Sequence, residues 1–255
     1  MTTGGDCLMT QPETTTNSAA ILSRWRRHLP VISHVLPFVV WLALMFGLRY
    51  VGEPGAWKYG VRTGLCILLL LALRPWRYYR RPQWRDIPWG IAGGLAVLLA
   101  WVGPELGWAG DGPFIQELYL RFGIMPLGRV PASAETSIYD PQIAGWWLAL
   151  VRLGGSAFII AAIEEFFWRG FLYRWLIERD FLGISLGDWD IEAFLIMVVL
   201  FGLEHNRWLA GVVAGAVYGA LMIRTRSIWS ACIAHVVTNL LLGIYVLSAG
   251  AYGFW

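Results

Sequence analysis

Ala161-Ala-Ile-Glu-Glu-Phe-Phe-Trp-Arg-Gly170 sets two adjacent carboxylates and a guanidinium inside a long apolar run. Ionisable groups at membrane depth are costly and mark function by default. Each helical residue turns the chain by about 100°, so Glu165 and Arg169 share a face and Glu164 points elsewhere. The spacing predicts an ion pair between Glu165 and Arg169. Glu164 has no partner nearby in sequence. A lone carboxylate in such a setting is a natural proton acceptor for catalysis. Its partners must come from other helices, and two segments qualify: Phe201-Gly-Leu-Glu-His205 and His235-Val-Val-Thr-Asn239.

The 255 residues are 57% hydrophobic and 15% charged, with a mean hydropathy of +0.55, which excludes an ordinary soluble domain. Many of the 16 tryptophans sit at the ends of apolar runs, where indoles favour the lipid–water interface. The net charge of +3 is small, and the basic residues are clustered in a way that speaks of topology, not nucleic acid. Cys7, Cys66 and Cys232 have neither CxxC nor zinc-ligand spacing.

Residues 1–30 read as a disordered polar tail and basic entry segment, with no signal peptide. Residues 31–140 read as three transmembrane helices, within 33–50, 56–73 and 88–103, plus an acidic extramembrane loop. That loop, 104–140, is expected to hold a short helix around 114–122. Residues 141–255 form the catalytic helical core, with apolar runs at 142–177, 193–203, 208–223 and 228–249. The expected fold is an all-α polytopic membrane bundle of seven transmembrane helices. It becomes eight if Gly154-Gly155 breaks the 142–177 stretch and makes 142–154 a separate span. Arg74, Arg77, Arg80, Arg81 and Arg85 put the 74–85 linker on the cytoplasmic side, together with the N-terminus, Arg174, Arg179, Arg224 and Arg226. A bacterial inner membrane is the expected location.

Depth counting brings the motifs together. Glu165 lies 15 residues before Asp180, and His205 lies 15 after Asp190. Both sit about 22 Å from the intervening turn at ~1.5 Å per residue. His235 and Asn239 come out several ångströms shallower, so tilt or a partial span ending at His205 has to close the gap. Glu164 and His205 suit water activation, and His235 and Asn239 suit donation to an oxyanion. Phe201 and Glu204 read as packing and interfacial residues, His28 and His34 as interfacial, and Arg152 as snorkelling or carboxylate-paired.

EExxxR, FxxxH and HxxxN, in this order on successive membrane helices, resemble the CPBP family of intramembrane proteases, the type II CAAX-prenyl endopeptidase-like proteins. The resemblance covers about residues 142–248. It implies a glutamate-dependent endopeptidase without metal or cofactor. Glu164 and His205 activate water, His235 and Asn239 form the oxyanion site, and Glu165 and Arg169 support them. Its substrate is a membrane-associated peptide or protein in the lipid bilayer. The sequence around Glu164 also looks like an exosortase-associated branch. Trp168 departs from the Phe or Tyr common before the arginine and is expected to alter pocket shape only. Two other readings compete: a non-catalytic binding or immunity-type membrane protein, and a metal-dependent protease. Zinc has no HExxH signature here. The sequence specifies no oligomeric state.

Overall fold

The computed structural model describes residues 14–106, 113–125 and 138–255, and among these every regular element is helical. Helix α1, Thr14–Gly47, carries Pro30 and Pro37 within it. The tail expected to be disordered is therefore helical from Thr14 onward, while residues 1–13 lie outside the described residues. The physical reason is propagation. Extending an existing helix through Ala19-Ala20-Ile21-Leu22 avoids the cost of a new nucleus.

Helices α2 (Trp57–Leu73) and α3 (Asp86–Val102) follow, joined by the basic linker. Arg74 closes α2 in the left-handed conformation, φ 49°, with its N–H on the Leu70 carbonyl at 2.8 Å. The short helix expected in the acidic loop is α4, Pro113–Phe122. Helix α5 is Pro141–Ala144. Gly145 then turns the chain at φ 82°, a region that favours glycine, into α6, Trp146–Ile177.

Gly154-Gly155 does not break α6. The helix instead widens there into π-helical turns at Gly155–Ile160, and again at Phe166–Leu172. One 32-residue helix leaves no separate span at 142–154. The remaining helices are α7 (Ile191–Glu204), α8 (Trp208–Thr225) and α9 (Ile228–Ala249).

Among the described residues, four helices are long and apolar enough to cross a membrane: His28–Tyr50 within α1, α6, α8 and α9. The other three expected spans are shorter. Helices α2 and α3 have 17 residues each and α7 has 14. They rise about 25 and 21 Å, less than the ~30 Å hydrocarbon core. The shortness of α7 is consequential, because it leaves His205 at the C-terminal tip of the helix.

Small residues set the packing. A Cβ on Gly211 would lie 3.0 Å from Gly202 Cα, and one on Gly215 would lie 3.3 Å from Val198 Cα, so this glycine stripe lets α8 lie directly on α7. A Cβ on Gly94 would lie 2.6 Å from the Ala234 carbonyl, so α3 lies equally close along α9. Thr238 Oγ1 donates to the Gly94 carbonyl at 2.9 Å and ties the two helices together. At the far end, Arg80 pairs with Asp86 at 2.9 Å, and Trp229 Nε1 donates to the Arg80 carbonyl at 2.6 Å. His34, expected at the interface, is instead buried. Its Nε2 meets the Tyr79 hydroxyl at 2.8 Å, and its Nδ1 meets the Pro30 carbonyl at 2.6 Å.

Candidate active site

Helices α6, α7, α8 and α9 enclose the charged motif. Asp190 caps α7, its Oδ1 accepting from Ala193 N at 2.8 Å. Tyr173 near the end of α6 donates to the Asp188 carbonyl at 2.7 Å and accepts from Asp190 N at 3.1 Å. This clasp on the 178–190 turn fixes the register of α6 against α7, and so the depth of Glu164 against His205.

The expected ion pair is present. Arg169 Nη1 donates to Glu165 Oε1 at 3.0 Å, with both side chains fully buried. Arg169 Nη2 also donates to the Gly215 carbonyl at 3.3 Å, and the guanidinium lies 4.1 Å from the Phe201 ring centroid. An arginine so enclosed by rings and acceptors is a fixed structural charge.

Glu165 does more than hold Arg169. Its Oε1 also accepts from His235 Nδ1 at 2.9 Å. His205 is oriented in the same manner by a different acceptor, with Nδ1 2.7 Å from the Phe201 carbonyl. A carbonyl can only accept, so His205 Nδ1 carries the proton and Nε2 presents a lone pair. The Tyr218 ring stacks on His235 with centroids 4.9 Å apart, and Trp101 of α3 meets His205 edge-on at 5.4 Å.

Both Nε2 atoms face Glu164. Glu164 Oε2 is 3.9 Å from His205 Nε2 and 3.9 Å from His235 Nε2. Neither separation is a hydrogen bond. Glu164 Oε2 is buried and has no hydrogen-bond partner among the described residues. The three groups thus surround a point that a small hydrogen-bonding molecule could bridge. Among the described residues, no group of three His, Cys, Asp or Glu is arranged to hold a metal ion.

Asn239 joins from one turn further along α9. Its Nδ2 donates to the Ser156 carbonyl at 3.0 Å. Ser156 lies in the first π-helical segment of α6, where the wider turn alters the backbone pairing and gives Asn239 an acceptor. One amide proton is thereby committed and the second remains available. Glu164, His205, His235 and Asn239 all line one cavity of about 240 Å³.

Several residues of the site do more than the sequence alone indicates, and Arg62 carried no signal in it at all. Trp168, expected to alter the pocket's shape, acts on it through a hydrogen bond, its Nε1 donating to Glu204 Oε2 at 3.0 Å. Glu204 lines the cavity and is not merely interfacial. Phe201 packs as expected, and its carbonyl also orients His205. Arg62 and Arg152 line the same space. Of the two alternatives read for Arg152, snorkelling or pairing with a carboxylate, the second is not seen among the described residues, and Tyr59, Tyr139 and Trp255 surround it.

Residues 145–241 match the family model for type II CAAX prenyl endopeptidase Rce1-like proteins. This gives the chain an Rce1-like domain, in agreement with the resemblance carried by the three motifs. The match contains Glu164, Glu165, Arg169, His205, His235 and Asn239, and leaves α1 to α5 and the last residues outside it. It does not distinguish the exosortase-associated branch. No curated protein and no solved structure matches the chain.

Proposed function

We propose that this chain, with its Rce1-like membrane domain, is a glutamate-dependent endopeptidase that cuts a peptide bond of a membrane-associated protein. The observation that carries the reading is the unpartnered Glu164 Oε2, equidistant from two imidazole Nε2 atoms. A water between them donates one proton toward Glu164 and one toward the His205 lone pair. Its own lone pair is then free to attack a carbonyl carbon.

Attack forms the C–O bond, and Glu164 takes the water proton. The oxyanion accepts from the remaining Asn239 amide proton and from His235 when Nε2 is protonated. The Glu165 carboxylate against His235 Nδ1 supports that imidazolium. Collapse breaks the C–N bond, and Glu164 returns its proton to the leaving amine. The products are a carboxylic acid and an amine, and the site is restored.

The cavity takes Trp41, Trp101 and Trp255 from the helix ends and chain segments opposite the basic 74–85 linker. With that linker cytoplasmic by the positive-inside rule, the site opens toward the extracytoplasmic face of a bacterial inner membrane. The test compares new protein N-termini in host membranes carrying wild type or Glu164→Gln. Wild-type-specific termini on exported membrane-associated proteins are expected. Identical termini in both, with both proteins present, would favour a non-catalytic binding protein.

A further inference from the structure

Glu164 and His205, the two groups assigned to water, sit on different segments of chain. Glu164 belongs to α6. His205 follows the last residue of α7 and has left the helical conformation, at φ −97° and ψ 144°. Its N–H bonds to the Gly202 carbonyl at 3.1 Å, three residues back rather than four. The end of α7 is therefore loosely held by its own backbone, and the place of His205 depends on how α7 is tied to α6.

One tie lies at the turn, where Tyr173 bonds to Asp188 and Asp190. Asp190 is 15 residues before His205. That is about 22 Å of helix axis, so this tie alone leaves the far ends of the two helices free to splay. A second tie stands at the site. Trp168, four residues after Glu164, donates from Nε1 to Glu204 Oε2 at 3.0 Å, and Glu204 is the residue before His205. Among the described residues, no other side-chain hydrogen bond runs from α6 to α7 itself. The Trp168 ring also stands edge-on to that of Phe201 with centroids 5.9 Å apart, and the Phe201 carbonyl is the acceptor that orients His205. Both contacts bear on the last turn of α7, the turn that His205 ends.

We propose that Trp168 and Glu204 are positioning residues, whose hydrogen bond clasps the site end of α7 to α6 and sets the separation of His205 from Glu164. The proposal rests on the protease reading above. Glu204 lines the cavity, so a carboxylate that carries charge or a proton for the reaction is the competing role. The geometry favours the clasp, because Oε2 is committed to the indole and the bond joins the two segments that bear the water-activating groups. His205 Nε2 and Glu164 Oε2 are 3.9 Å apart, and a bridging water tolerates little change in that span. A misplacement of about 1 Å at a reacting centre can cost about 10²-fold in rate.

Two measurements on the full chain in phosphatidylcholine nanodiscs test this, at a temperature well below the melting of every variant. The first needs no turnover. The chain has four histidines, so the ring proton–carbon signals of labelled histidine are few, and His205→Gln assigns one of them. Glu164→Gln should move the His205 signal. In Trp168→Phe and in Glu204→Leu that response should drop to about half or less, because the field of a charge weakens with distance. In Glu204→Gln it should persist, since the amide oxygen accepts from the same indole. The second measurement is turnover of a quenched peptide carrying the cut sequence found by the host-membrane comparison. Trp168→Phe and Glu204→Leu should each lower kcat by about tenfold or more with KM within about twofold. The double variant should be no slower than the slower single. Glu204→Gln should restore most of the rate that Glu204→Leu loses. The two breaking variants act from opposite sides of the bond, so each stands in for the other if one fails to fold. Glu204→Gln as slow as Glu204→Leu overturns the proposal in favour of a charge or proton carried by Glu204. Additive losses in the double variant overturn it too, as does a His205 response to Glu164→Gln that survives loss of the clasp. The protease reading fails separately, by unchanged turnover in Glu164→Gln or by the absence of any cut, and the histidine signals then still decide the clasp.

Discussion

Glu165 and His235, 70 positions apart, are joined by a 2.9 Å hydrogen bond between Oε1 and Nδ1, on the same carboxylate oxygen that receives Arg169. One buried anion thus fixes a structural cation and a candidate catalytic imidazole. Glu165→Ala should therefore cost more stability than Glu164→Ala. An unpaired buried charge is worth about 3–5 kcal/mol. Thermal melts in detergent are expected to rank the variants wild type, Glu164→Ala, Glu165→Ala. Glu165→Ala/Arg169→Leu should recover much of the stability but not the activity, because His235 still lacks its partner. Equal melting of the two single variants would remove the argument for the pair.

Glu164→Gln keeps the shape of the side chain and removes the proton acceptor. General-base removal typically costs about 10²–10⁴ in rate. Proteolysis by the purified protein should fall by at least about a hundredfold, with a melting temperature close to wild type. Glu164 already lacks a hydrogen bond at Oε2, so little structure depends on its charge. Activity within tenfold of wild type would remove Glu164 from the proposed role.

The parts of this site that follow helix periodicity were legible in the sequence. The i, i+4 spacing predicted the Glu165–Arg169 pair, and counting from the 178–190 turn matched Glu164 with His205. The rest depends on contacts that periodicity does not encode. The bond from Asn239 to the Ser156 carbonyl rests on a π-helical segment, and π turns leave no regular mark in an apolar run. His235 reaches Glu165 through the packing of α9 against α6, a contact between residues 70 positions apart. The shortness of α7, a limit on how deep His205 sits, was visible only as one way to reconcile the depth count. Arg62 and Arg152 carried no motif at all, and their common cavity is a product of tertiary packing.

Trp168→Phe tests a residue whose chemistry the sequence hid. Phenylalanine fills much of the same volume but cannot donate to Glu204 Oε2. A polar group left unsatisfied after losing its partner costs about 1–3 kcal/mol. The variant should melt lower than wild type by that order. Trp168→Phe/Glu204→Leu, which removes the stranded carboxylate as well, should be less destabilised than the two single changes predict. Additive effects in this double-mutant cycle would mean that the indole acts through volume alone.

The remaining prediction concerns metal. Glu164, His205 and His235 are all residue types that bind zinc, and three such ligands with an open position describe many catalytic zinc sites. The distances allow a test of fit. Tetrahedral zinc with bonds of about 2.0–2.1 Å holds its ligand atoms roughly 3.4 Å apart. The two separations from Glu164 Oε2 are both 3.9 Å, wider by about half an ångström. A zinc ion at this point would require both imidazoles to close on Glu164. The surroundings favour water instead. Asn239 reaches the same cavity with a free amide proton, which suits an oxyanion and not a cation. A carboxylate and a neutral imidazole suffice to activate water without a Lewis acid. Activity is therefore expected to survive exhaustive dialysis against EDTA, and elemental analysis of active protein should find far less than one zinc per chain. Activity lost on chelation and restored by zinc, together with about one zinc per chain, would replace the glutamate mechanism by metal catalysis. Inhibition by an apolar chelator alone would not do so, because such a molecule can occupy the apolar cavity itself.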